Sequence, residues 1–149
     1  MKTRIFALIT LVLVGIHNGA SIFGWYESMP WFDYIPHFFA GFWLIFAIIL
    51  LSERYRLLDI SMFKPITAII ILVSIVMFFG VLWEFFEYGL DAVSFSQKGE
   101  IFEIQPTRED ILTDLFFDLL GASSAVLLLV LVRRKNQRSA ANENNTPNF

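Results

Sequence analysis

The chain has 149 residues, 56% of them hydrophobic and 17% aromatic, with 14 acidic against 11 basic side chains and no cysteine. A soluble domain of this size cannot hide so much apolar surface, so that surface must face lipid. The lack of cysteine excludes disulfides, thiolate metal sites and cysteine nucleophiles, which leaves carboxylates and histidines to carry any chemistry, and neither a nucleotide, a flavin nor a nucleic-acid partner is expected.

A membrane-crossing helix needs roughly 20 mainly apolar residues to span about 30 Å of hydrocarbon, and four stretches qualify. The first covers about 5–25. It also has features of a cleaved signal peptide, with Lys2 and Arg4 before an apolar core and Gly19-Ala20 near a cut. Apolar sequence continues through Ile22, Phe23 and Trp25, however, and favours a retained anchor. The second stretch, about 33–52, accommodates Pro36 in its first turn, with Asp33 near the cap. The third covers about 65–91. The fourth, about 108–132, follows Thr107-Arg108-Glu109-Asp110, a capping-box pattern that starts a helix near Arg108. The Asn-rich tail, 139–149, reads as disordered. The expected fold is all-α: one polytopic transmembrane four-helix bundle over 1–138.

Charge sets the expected orientation. Lys2, Arg4, Arg54, Arg56, Lys64, Arg133, Arg134, Lys135 and Arg138 fall on one side of the four spans, with Lys98 and Arg108 on the other. The positive-inside rule puts the larger set, and both termini, in the cytoplasm. The loops around Glu27 and over 92–109 then face outward.

Ionisable groups inside a bilayer cost about 2.5–3.5 kcal/mol each on insertion scales, so they usually face a protein interior and serve a function. Here they recur in helical register. Asp33, His37 and Gly41 share one face of the second helix; Glu84, Glu87 and Asp91 one face of the third; Asp110, Asp114 and Asp118 one face of the fourth, continued by Gly121 and Ala122. Each stripe lies in the outer half of its helix, Glu84 roughly 10 Å below the outer end. His17 and Asn18 reach a comparable depth on the first.

The four helices can thus build one polar site. Seven carboxylates cannot all stay ionised in one poorly solvated cavity, so protons, arginine or bound cations must compensate. Arg108 alone is too little. Facing acid and histidine stripes in a helical bundle suit a divalent metal ion such as Zn, Mn, Fe or Mg. The expected ligands are His37, Glu84, Glu87, Asp114 and Asp118, with Asp33, Asp91, Asp110 and His17 as further candidates. For Asp33, Glu87, Asp91 and Asp110, near helix ends, a cap or a solvated position competes with that role. His17 and Asn18 compete as plain interhelical hydrogen-bonding groups. Trp25, Tyr26, Trp31 and Tyr34 read as an interfacial aromatic belt.

The pattern Asp33-x-x-x-His37-x-x-x-Gly41, then Glu84-x-x-Glu87, then Asp110-x-x-x-Asp114 and Gly121-Ala122 resembles the bacterial inner-membrane YjdF-like family. It is distantly similar to the VanZ-like family, linked to glycopeptide resistance. The resemblance covers Asp33 to Ala122 and implies a multi-pass protein of a bacterial or archaeal plasma membrane, without supplying a reaction.

Three functional classes follow. One is a cation site that binds or acts on a lipid-linked or phosphate-bearing ligand. The motifs of CDP-alcohol phosphotransferases, phosphatidic-acid phosphatases, Gly-x-Ser-x-Gly hydrolases and HExxH proteases are all missing from the sequence. The second is a proton- or ion-coupled transporter subunit, whose path four short helices could assemble as a homo-oligomer, although Ser52 and Ser74 are the few polar residues in the cytoplasmic halves. The third is a noncatalytic assembly protein.

Overall fold

A computed structural model of the chain describes residues 2–98 and 108–144. Among the described residues it consists of helices joined by short turns, with no strand. The order is α1 (Lys2–Ile22), α2 (Trp25–Ser28), a 3-10 turn (Pro30–Asp33), α3 (Tyr34–Tyr55), a second 3-10 turn (Ile60–Met62), α4 (Pro65–Lys98) and α5 (Arg108–Asn144). Three stretches are long and apolar enough to cross a membrane, Trp31–Tyr55, Pro65–Leu90 and Arg108–Ser139, and Phe6–Ile22 is a shorter apolar helix. All four apolar helices expected from sequence are present.

Several boundaries differ from the sequence reading, each for a local reason. Gly24, at φ +65°, breaks the first apolar run into α1 and the single turn α2. Asp33 closes a 3-10 turn and makes no side-chain cap to α3. The helix α4 continues to Lys98 and α5 to Asn144, so 92–98 and 139–144 are helical although they were expected as loop and tail. The α5 extension, 139–144, is polar, and the α4 extension mixes Ala92, Val93 and Phe95 with polar residues; a helix needs no apolar stripe where it leaves the bundle. Thr107, the expected cap of α5, lies outside the described residues.

Lipid tails are as apolar as leucine, so burial of apolar surface does not drive these helices together; close packing through small residues does. The most extensive pairing is α3 with α5. Its closest points are Gly41 and Gly121: a Cβ on Gly41 would overlap the backbone carbonyl of Asp118, and one on Gly121 the backbone carbonyl of Phe38. Below this crossing lies an apolar core of Ile45, Leu72, Val76, Ala122, Ala125 and Val126. Large apolar side chains, among them Leu11, Phe78, Phe85, Phe116 and Leu127, are exposed on the outside, as a lipid-facing surface requires.

The antiparallel order of α3, α4 and α5 brings the start of α3, the last turns of α4's apolar span and the start of α5 to one end of the bundle. That end gathers the intramembrane acids and His37, whereas the basic residues Arg54, Arg56, Lys64, Arg133 and Arg134 lie at the opposite end.

Candidate functional site

His37 stands at the centre of the polar end. It is 5% exposed, one turn into α3, with Nε2 3.8 Å from Asp33 Oδ1 and Nδ1 3.6 Å from Asp118 Oδ2 of α5. Both separations exceed a hydrogen bond, so carboxylates flank the ring without closing on it. Asp118 can stand beside α4 because Gly80 faces it: a Cβ there would come within 2.5 Å of Asp118 Oδ2.

Two sets of donors converge on the imidazole. One atom each from Asp33, His37 and Asp114 lie within 4.8 Å of one another, and so do one each from His37, Glu84 and Glu87. Ligands on opposite sides of a small divalent ion at about 2.1 Å would be about 4.2 Å apart. Only one pair in a set of three can stand opposite, and neighbouring ligands of a tetrahedral ion lie about 3.4 Å apart, so the donors of each set would draw inward to close on an ion. Glu84 is 7% exposed and Asp114 3%, and Glu84 Oε1 and Asp114 Oδ1 have no hydrogen-bond partner among the described residues.

The expected site residues thus separate. His37, Glu84, Glu87, Asp114 and Asp33 come together, and Asp118 abuts them through His37. Asp110 is exposed in the first turn of α5 and belongs to neither donor set. The side chain of Asp91 falls outside the described residues. His17 is engaged elsewhere: its Nδ1 lies 2.8 Å from the Tyr26 hydroxyl and its ring meets Trp83 edge-on at 5.7 Å.

Sequence reasoning missed the roles of the aromatics. Beyond the belt expected of them, Tyr26 holds His17, and Tyr34 stacks on Phe117 with ring centroids 4.8 Å apart. No periodicity could have paired Tyr26 with His17, because the turn at Gly24 reverses the chain between them. The Tyr26 phenol is pushed up from 10.0 to about 12, first by burial, then by the negative charges of Asp33 and Glu87. It stays protonated at physiological pH and can donate to His17 Nδ1.

Because the folded value lies above the unfolded one, Tyr26 supports the fold fully below pH 10 and loses that contribution as pH rises towards 12. Ultraviolet titration of the phenols should show one ionising near pH 12 that disappears in Tyr26→Phe. A variant curve superimposable on wild type would refute this environment for Tyr26.

Residues 1–135 match the family described as a predicted membrane protein, DUF2238. The chain belongs to this family. No curated protein and no solved structure matches it. For this DUF2238 chain, then, the functional reading has to come from the geometry of the site.

Proposed function

We propose that this protein binds a divalent cation within the membrane, at the His37-centred cluster, and presents it to a lipid-linked or phosphate-bearing ligand. The observation that carries the reading is the pair of buried, unpartnered carboxylate oxygens, Glu84 Oε1 and Asp114 Oδ1, beside the convergent donors. A carboxylate oxygen is an acceptor only; buried in apolar surroundings without a donor it is costly, and a cation removes the cost. His37 belongs to both donor sets and would sit between them. Oxygen donors with one imidazole suit Mn, Fe, Zn or Mg. Such an ion would neutralise phosphate charge and could activate water.

The apolar layer of Ile45, Val76, Ala122 and Ala125 beneath the cluster argues against a transporter path through a single copy. The distribution of Lys and Arg supports a plasma-membrane orientation with both termini cytoplasmic and the site in the outer leaflet. The likeness to YjdF-like sequences agrees with it. A reporter fused after Arg138 should then be cytoplasmic and one inserted near Lys98 external; the reverse pair would move the site to the inner leaflet.

Titration with Mn²⁺, followed by the electron paramagnetic resonance signal of the free ion, tests cation binding. Glu84→Gln with Asp114→Asn should weaken binding by more than about ten-fold at unchanged helicity. An unchanged isotherm would refute the assignment.

A further inference from the structure

A groove runs along the side of the cluster where α1 stands off from the bundle. Near its start α1 is pinned to α3: Phe6 stacks on Trp43 with centroids 5.0 Å apart, and Trp43 Nε1 donates to Thr10 Oγ1 at 3.0 Å. About 10 Å further along, by helical rise, it is pinned again where His17 meets Trp83. Between the pins a cavity of about 550 Å³ opens, walled by Leu13, Val14, Phe39, Leu44 and Phe79. That volume lies within the roughly 300–1,000 Å³ of small-molecule sites.

One end of the groove is polar, lined by Asp33, His37, Glu87 and Asp118 together with His17 and Asn18. Glu84 and Asp114 do not line it, so they approach the cluster from behind, and the groove is the open approach to an ion held there. No Lys or Arg lines the cavity. Three carboxylates against two imidazoles and one amide make its polar end unfavourable to an anion; with a divalent cation in place that end would offer an open coordination position to an anionic oxygen. The apolar walls suit an alkyl chain, and the exposed Leu8, Leu11 and Val12 on α1 put the groove at lipid depth.

We infer that this groove holds the chain of a single-chain alkyl phosphate, with its phosphate at the cation end between Asp33, His37 and Glu87. The inference rests on the cation reading above and adds to it where the ligand's chain lies. It makes headgroup binding conditional on the metal, and it makes Leu13 and Val14 determinants of chain fit, outside the ion's own ligands.

The test uses the full chain in phosphatidylcholine nanodiscs with Mn²⁺ and a diazirine-tagged dodecyl phosphate, photolysed and mapped by mass spectrometry. Labelling should concentrate at positions 13–14 and 39–44. It should fall about ten-fold on chelation of the metal, and about ten-fold in Leu13→Trp, which fills the groove while its Mn²⁺ content stays at the wild-type level. Val14→Phe serves the same purpose if Leu13→Trp loses helicity. Labelling spread evenly over Leu8 and Leu11, labelling indifferent to metal, or equal groove labelling by a tagged dodecyltrimethylammonium would overturn the inference. The Mn²⁺ content of the same samples separates two failures. Bound Mn²⁺ without groove labelling overturns the groove assignment alone, whereas wild-type protein without bound Mn²⁺ overturns the cation reading and the groove with it.

Discussion

Replacing His37 by alanine is expected to lower the affinity for Mn²⁺ or Zn²⁺ by more than about 100-fold, beyond the 10–100-fold typical of groups that only orient ligands. The imidazole is the one nitrogen donor in both donor sets, so its loss dismantles both at once. It also leaves Asp118, 3% exposed, facing a void in place of an imidazole nitrogen 3.6 Å away. His17→Ala is the matched control: that ring is held by Tyr26 and Trp83 and lies outside both sets, so metal affinity should be unchanged. If the two histidine variants weakened binding equally, His37 would lose its central place. Circular dichroism of each variant separates loss of a ligand from loss of fold.

The second large effect is structural. Gly41→Ala and Gly121→Ala should each destabilise the bundle at the upper end of the roughly 1–3 kcal/mol that overpacking costs, or beyond it. At both positions the added Cβ would overlap a backbone carbonyl of the facing helix, Asp118 from Gly41 and Phe38 from Gly121, and backbone cannot rotate out of the way. Separating α3 from α5 would also pull His37 from Asp118 and Asp114, so metal binding should fall together with stability. Gly19→Ala, where a Cβ would meet nothing within 4 Å, provides the contrast. Unfolding in mixed detergent should show the loss at Gly41 and Gly121 and none at Gly19; equal behaviour of all three would mean that α3 and α5 do not approach so closely.

Much of this arrangement is legible in the sequence because two physical rules act strongly on it. A bilayer forces long apolar helices, which makes the four runs plain, and the cost of burying charge forces the acids into register on inward faces. The Asp33, His37, Gly41 stripe and the Asp114, Asp118, Gly121 stripe meet because their glycines bring the helices to backbone contact. What the sequence did not disclose depends on turns and on packing between elements distant in the chain. The reversal at Gly24 that carries Tyr26 to His17 is one case, and the Thr10 to Trp43 hydrogen bond that pins α1 is another. Spacing alone also could not separate Asp110 from Asp114, one turn apart on the same stripe; only the first is exposed.

Elemental mass spectrometry on detergent-purified protein, comparing wild type with the Glu84→Gln, Asp114→Asn double variant at equal helicity, tests the cation site most directly. About one or two equivalents of a divalent metal in the wild type, lost in the variant, is the predicted result. No metal above background in the wild type, even after reloading with Zn²⁺, Mn²⁺ or Fe²⁺, would contradict it and leave the cluster as a polar network without an ion.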